Sequence, residues 1–508
     1  MRTTINNVSL DIESGARKWA DKPAIVHAPS GLVVSYRELA HRIELVTGSL
    51  RAHGIKTGDR VAIVEGNTVN HVVSWYGILR AGALAVDFNF LLSGYEWGHV
   101  YADCRPQIAI AGSQFAQTIS ASGNQPVWSM ESLTEQPSPQ ELRTSKMQSL
   151  DDPAVIAYTS GTTGLPRGVV HSHRSLARQL NLLQRACGYD EHWTSYVAVP
   201  LFALQGFLPQ VAATLRFGGT VVLDDKFDPD RFAEVSQQYP ISYTTLSSPM
   251  IPRLLALGEK TTIDLSHIRL LSCGGAPLHQ DDRTAFEDRF GVHVTQGYSS
   301  TEVLGAFVME LYGDAPHGAA GKVFSDRSDP IRIMSDDTGT AADVGAIGEI
   351  AFHRSCALQK YWSQPDDDDS AFVAGQWHAT GDIGRMDEDG YLFVLDRKKD
   401  VVIRGGFNIF SAEIERVLTS HPAVLEAVVV AAPSERLGEV PIAFVVCEPG
   451  DDISSDDLQD YARVRLGRLK TPESITKVQF DDLPRNSIGK VQKAELRDRV
   501  RVQAVPLG

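Results

Sequence analysis

Helix-period stretches that hand over at once to short apolar runs recur along this chain, and that alternation is the strongest constraint on its fold. Between Ser35 and Gly54, Leu39, Ile43, Val46 and Leu50 fall on one helical face. Ser35 and Glu38 make a capping-box pair at its start and Gly54 supplies the stop. A strand-like run, Val61 to Val64, follows directly. The same order returns at Gly77 to Phe88, where a helix leads into Leu84 to Val86, and at Phe232 to Leu246, where a helix leads into Ile241-Ser242-Tyr243. Such alternation argues for α/β layers with largely parallel sheets.

Length allows more than one such body. At roughly 150 residues per domain, 508 residues suggest two to four domains, and 43% hydrophobic content is ample for cores of that size. The 63 acidic against 48 basic side chains leave a net charge of −15 without long single-sign runs, so a nucleic-acid footprint is not expected. Asp366 to Asp369 read as a solvated loop. The cysteines Cys104, Cys187, Cys273, Cys356 and Cys447 are scattered, with no Cys-x-x-Cys pair, which fits a reducing compartment. No apolar run approaches the roughly 18 residues of a membrane span, and Met1 to Glu13 holds no signal-type apolar stretch. The expectation is a cytoplasmic chain with no integral membrane segment.

The texture changes near residue 396. Asp396-Arg397-Lys398-Lys399-Asp400 is a compact charged stretch between two strand-like runs, Tyr391 to Leu395 and Val401 to Ile403. Beyond it come a helix opened by Ser411, strands at Ala427 to Val430 and Ile442 to Val446, and a helix around Leu458 to Leu466. These roughly 110 residues suffice for a small α+β domain. The expected division is a large N-terminal domain over 1–398 and a small, mobile C-terminal domain over 399–508, with a hinge near Lys399.

The sharpest local pattern is Tyr158-Thr159-Ser160-Gly161-Thr162-Thr163-Gly164-Leu165-Pro166-Arg167-Gly168, after the apolar run Val155 to Ala157. Glycines let backbone N–H groups converge on an anion, hydroxyls donate further hydrogen bonds, and Arg167 adds a fixed charge. This is phosphate-cradle chemistry, though not the Gly-x-x-x-x-Gly-Lys-Ser/Thr loop. His171-Ser172-His173 lacks a third metal ligand nearby and reads as structural. No Gly-x-Ser-x-Gly elbow supports a serine hydrolase.

Across nearly its whole length the chain resembles the adenylate-forming superfamily of acyl- and aryl-CoA ligases. Five blocks carry the resemblance in the family's order: Thr159 to Gly168; Gln296-Gly297-Tyr298-Ser299-Ser300-Thr301-Glu302; Thr380-Gly381-Asp382; Asp396-Arg397 through Gly405-Gly406-Phe407-Asn408; and Pro484-Arg485-Asn486-Ser487-Ile488-Gly489-Lys490. The resemblance implies ATP, Mg2+ and CoA, with the acid converted to acyl-AMP and then to a thioester. It implies catalytic roles for Lys490, Glu302 and Thr163. The nucleotide would be held by Thr159, Ser160, Gly161, Thr162, Thr163, Gly164, Arg167, Gly274, Gly275, Ala276, Gly297, Tyr298, Ser299, Ser300, Thr301, Asp382, Arg397 and Lys490. Glu302 offers a hard oxygen for Mg2+, Tyr298 a flat face for adenine, and Asp382 an acceptor for both ribose hydroxyls. Lys490 would bridge carboxylate and α-phosphate electrostatically. A swing about Lys399 would then withdraw it and bring Gly405, Gly406 and Phe407 to the pantetheine path.

Two positions depart from the family pattern. Arg167 stands where lysine is usual, keeping charge but changing shape. Within Phe202-Ala203-Leu204-Gln205-Gly206-Phe207, Ala203 replaces a histidine or similar group beside the reaction centre. Phe202, Ala203, Leu204 and Phe207 are expected to line an apolar acyl pocket. The leading expectation is an ATP-dependent carboxylate–CoA ligase. The alternatives are an enzyme that thioesterifies preformed acyl-adenylate, one that loads a carrier-protein thiol, and a nucleotide-binding pseudoenzyme.

Overall fold

The computed structural model describes residues 7–115, 126–133, 148–159, 165–258, 261–274, 278, 280–311, 313, 315–335, 339–363, 372–448, 450–485 and 491–504. The chain forms two compact units, Met1–Ile331 with Phe352–His378, and Arg332–Ala351 with Ala379–Gly508.

The larger unit carries two sheets. In the first, the spatial order is Lys360–Tyr361, Arg167–Ser172, Pro153–Thr159, Leu84–Asp87, Arg60–Val64, Ile108–Ala111 and Val127–Trp128. From Pro153–Thr159 onward the pairings are parallel; Arg167–Ser172 and Lys360–Tyr361 add antiparallel to the edge. The parallel strands are apolar almost without interruption, with Val61, Ala62, Ile63, Ala85, Val86 and Ile110 buried, because both faces are covered. In the second sheet, Pro23–His27, Thr220–Leu223, Thr194–Val197, Tyr243–Ser247, Leu270–Gly274 and Val294–Tyr298 pair in parallel. Ala306–Met309 and Gly321–Ser325 continue it antiparallel. Thr159, Gly274 and Tyr298 therefore stand at carboxyl ends of parallel strands, where open α/β sheets place ligands.

The expected α/β alternation is present, with local corrections. The helix at Tyr36–Ala52 buries Leu39, Ile43, Val46 and Leu50. Its capping box is only half made: Ser35 Oγ accepts the Glu38 N–H, while the Glu38 carboxylate turns to Arg42 four residues on. The strand expected at Ile241–Tyr243 instead runs Tyr243–Ser247. Pro240 has no N–H for a ladder, and the Ile241 N–H turns back to the Tyr239 carbonyl, so regular pairing starts only beyond them.

The smaller unit takes most of the strands Gly348–His353 and Trp377–Met386, together with Tyr391–Arg397. It also has a sheet ordered Phe407–Ile409, Val402–Arg404, Gly438–Cys447, Val424–Ser434, with Ser474–Lys477 parallel to Gly438–Cys447. Side chains alternate faces along Val424–Ser434. Val429 packs with Ile414, Leu418 and Leu458, while Val428 and Val430 pack with Leu496 and Val500. Two cores thus share one strand. The helix expected around Leu458–Leu466 spans Ser455–Lys470, opens on a Ser454–Asp457 capping box and is broken at Gly467.

Ser411 begins the helix Ser411–Thr419 but does not cap it. Its hydroxyl and the Ala412 N–H both donate to Asp396 Oδ2, at 2.9 and 3.3 Å. The cap comes from a strand residue fifteen positions upstream.

Candidate active site

The apolar strand Pro153–Thr159 delivers the chain to the glycine- and hydroxyl-rich loop, and Arg167–Ser172 carries it back, with Tyr158 opposite Gly168 and Thr159 opposite Arg167. Ser160, Gly161, Thr162, Thr163 and Gly164 lie outside the described residues. Both flanks of the loop are held by one helix, Gly94–Cys104. His99 Nε2–H donates to the Pro166 carbonyl at 3.1 Å, and Asp103, four residues on and so on the same face, accepts from the Tyr158 hydroxyl. Trp362 Nε1–H donates to the Asp103 carbonyl at 3.3 Å. Gly168 is glycine for a steric reason: a Cβ there would stand 2.8 Å from Ile156 and 3.1 Å from Trp362 and Tyr158.

Glu302 follows the strand Val294–Tyr298. Its neighbour Thr301 is fixed by His171, whose Nε2–H donates to the Thr301 carbonyl at 2.7 Å. Burial pushes His171 down to about 4, so the ring is neutral at ordinary pH and serves as a donor. His173, also pushed down to about 4 by burial, sits in the first turn of the helix His173–Cys187. Both histidines are structural, and among the described residues no cluster of three His, Cys, Asp or Glu could hold a metal.

Tyr361 joins Arg167 to Glu302. The Arg167 guanidinium lies over the Tyr361 ring, 4.2 Å from its centroid, and its Nη2 is 3.2 Å from the hydroxyl. The same hydroxyl stands 3.5 Å from Glu302 Oε1. Burial and then the Glu302 charge push the phenol up to about 12, so it stays protonated. Nothing in the residue pattern around Lys360-Tyr361-Trp362 marks this tyrosine; only pairing of its strand with Arg167–Ser172 brings it in.

The Tyr298 ring lies near-parallel to Phe352, 6.3 Å between centroids. Gly297 passes so close to the neighbouring strand that a Cβ would stand 2.7 Å from the Val308 carbonyl oxygen. Gly274 has open space where a side chain would be; Gly275 and Ala276 lie outside the described residues. The Ser300 Oγ is closed to solvent and has no partner among the described residues.

In the smaller unit, Asp382 is opposite Arg397 in an antiparallel pair, and Arg397 Nε meets Asp382 Oδ1 at 2.7 Å. The approach to Asp382 is built by neighbours: Thr380 Oγ1 donates to the Ile350 carbonyl and accepts the Asp382 N–H, and Glu349 accepts the Gly381 N–H at 3.0 Å. Gly381, at φ +75°, takes the left-handed turn. Lys399 lies in the single turn Lys398–Asp400; burial lowers its pKa, and Arg497 donates to its carbonyl and pairs with Asp400. Gly405 and Gly406, at φ +60° and +84°, form a hairpin tip that leaves Phe407 61% exposed. Lys490 lies outside the described residues.

The acyl-pocket expectation divides. Phe202 is half-buried, edge-on to Phe90 at 5.3 Å, and Ala203 is exposed. Leu204 and Phe207 are core residues, with Phe207 closed to solvent against Trp75 at 4.8 Å. One short helix, Leu204–Phe207, turns both inward.

In the larger unit a cation and a carboxylate thus share one tyrosine at the foot of the glycine- and hydroxyl-rich loop, and the smaller unit carries a carboxylate–arginine pair of its own. The chain belongs to the AMP-binding enzyme family: residues 12–362 match that family and residues 413–490 match the AMP-binding enzyme C-terminal domain. It is 33% identical over 496 residues to a feruloyl-CoA synthase of Amycolatopsis, covering 95% of this chain and 97% of the relative. Among solved structures it is similar to ATP-bound MatB from Rhodopseudomonas palustris, with TM-score 0.87, 29% identity and coverage of 97% and 98%. It is also similar to the O-succinylbenzoate coenzyme A synthetase of Bacillus subtilis in complex with ATP and magnesium ion, with TM-score 0.84, 26% identity and coverage of 96% and 98%. Among the described residues no helix is long and apolar enough to cross a membrane.

Proposed function

We propose that this chain is an ATP-dependent carboxylate–CoA ligase that converts an acid to acyl-AMP, releasing pyrophosphate, and then passes the acyl group to the CoA thiol. The observation that carries the reading is the array of Arg167, Tyr361 and Glu302 at the end of the hairpin bearing the phosphate-type loop. The family membership and the feruloyl-CoA synthase relative support it.

The roles follow from chemistry. Arg167 and the loop from Thr159 through Gly164 meet the phosphates, Tyr298 takes one face of adenine, and the Asp382 carboxylate accepts from the ribose hydroxyls. The donor set fits Mg2+: Glu302 supplies a hard oxygen, and two residues before it the Ser300 hydroxyl is a buried oxygen without a partner among the described residues. Mg2+ bound there would neutralise triphosphate charge. Lys490 stabilises charge where the acid oxygen meets the α-phosphate, and Thr163 assists from the loop. Residues 399–508 form the movable C-terminal domain, with the hinge at Lys399; Gly405, Gly406 and Phe407 flank the path by which the thiol arrives. The acid meets Phe202 and Ala203 first, an apolar surface open on its alanine side.

Pyrophosphate exchange and thioester formation, run with hydroxycinnamic, other aryl and straight-chain acids, test the proposal. At least one acid should support both reactions. Failure of every acid in exchange, with thioester still made from supplied acyl-AMP and CoA, would replace the complete ligase by its second half alone.

A further inference from the structure

The side chains at Arg167 and Glu302 carry opposite charges and face the same tyrosine. Arg167 is exposed and Glu302 half-buried; with nothing between them, a guanidinium and a carboxylate can close into a bidentate ion pair, which would remove the cation from the phosphates and the carboxylate from the metal together. Tyr361 stands between them, with the guanidinium over its ring at 4.2 Å and its hydroxyl within 3.5 Å of Glu302 Oε1.

The tyrosine itself has little room to move. Its backbone pairs with Val169, its ring packs with Val169, Leu358 and Phe372, and the Trp362 N–H donates to the Gly168 carbonyl. Trp362 in turn reaches Asp103, the residue that also holds Tyr158 before the loop. The spacer is thus built into the same frame as the loop.

We propose that Tyr361 is a positioning residue that keeps Arg167 and Glu302 from neutralising each other, so that each remains available to one part of Mg-ATP; this rests on the reading of Glu302 as a metal-holding carboxylate. Arginine suits the arrangement better than lysine, because a planar guanidinium spreads over an aromatic face whereas an ammonium is a compact point charge. The hydroxyl adds a second effect: it stands 3.5 Å from one Glu302 carboxylate oxygen, on the side that faces Arg167.

The test is ATP binding by calorimetry across Mg2+ concentrations, with no acid present, for the wild type and for Tyr361→Phe, Tyr361→Leu, Glu302→Gln and Tyr361→Leu/Glu302→Gln. Tyr361→Phe keeps the ring and should raise the Mg2+ concentration for half-maximal binding by about threefold, the low end of what one lost hydrogen bond costs and in keeping with a contact as long as 3.5 Å. Tyr361→Leu should in addition weaken ATP binding at saturating Mg2+ by about tenfold. In the double variant, Arg167 has no carboxylate to pair with, and that tenfold loss should largely disappear, a non-additivity that a purely structural tyrosine would not produce. Additive losses, or an unchanged Mg2+ midpoint in Tyr361→Phe, overturn the proposal even if Tyr361→Leu fails to fold. An unchanged Mg2+ midpoint in Glu302→Gln overturns instead the metal reading beneath it.

Discussion

At Asp382, one buried carboxylate meets one arginine at 2.7 Å in a cross-strand pair. Asp382→Asn keeps the volume but removes the charge that Arg397 pairs with and that the proposed ribose contact needs. ATP binding should weaken by about tenfold with little change in melting temperature, and calorimetry beside a thermal melt separates the two. His171 makes a prediction in pH. Its folded pKa of about 4 lies below the unfolded 6.5, so the unfolded chain takes up the proton first as pH falls. Stability is therefore unaffected above about pH 6.5 and is lost progressively down to about pH 4, by about 3 kcal/mol for this residue and about as much for His173. Denaturant unfolding between pH 7 and 4.5 should show that slope, and it should be shallower in His171→Gln, which retains a donor toward Thr301 without titrating. An unchanged slope would mean that the ring takes up its proton at the same pH in the folded and the unfolded chain.

At the scale of elements, the helix Ser411–Thr419 depends on a residue outside itself. Asp396 accepts from Ser411 Oγ and the Ala412 N–H, while Lys493 donates to Ser411 at 2.8 Å and pairs with Glu415 at 2.7 Å. A carboxylate at a helix start satisfies an orphan N–H and favours the dipole, so Asp396→Ala should destabilise the smaller unit by about 1–2 kcal/mol. Hydrogen exchange at Val417 and Leu418 should rise, while exchange in the strand Pro153–Thr159 stays the same; a uniform change across both would argue against a local cap. The sequence reading opened this helix at Ser411, where it begins, but gave no sign of what caps it. Short-range patterns identify a serine beside a helix, whereas a cap supplied from residue 396 depends on where the strand Tyr391–Arg397 ends.

For the whole molecule, the two half-reactions should separate by residue. Lys490→Ala should abolish acyl-AMP formation yet leave thioester formation from supplied acyl-AMP nearly intact; equal loss of both would count against a division of labour. Lys399→Pro restricts φ at the expected hinge and should do the reverse, lowering thioester formation more than pyrophosphate release.

The sequence by itself determined the α/β layering, the family and the order of its chemical blocks. Burial on sheets and helices is periodic, so Leu39, Ile43, Val46 and Leu50 announce a helix face, and the glycine- and hydroxyl-rich loop after an apolar strand, set among four further blocks in order, carries the resemblance to the family. Tertiary structure alone decided which distant residues meet Arg167, Thr301 and Tyr158. Tyr361 reaches Arg167 across 194 positions, His171 holds Thr301 across 130, and Asp103 grips Tyr158 across 55. It also turned Phe207, whose apolar character fits pocket and core equally, into the core against Trp75. Strand register and helix docking set these contacts, and neither leaves a periodic trace in the residues that they join.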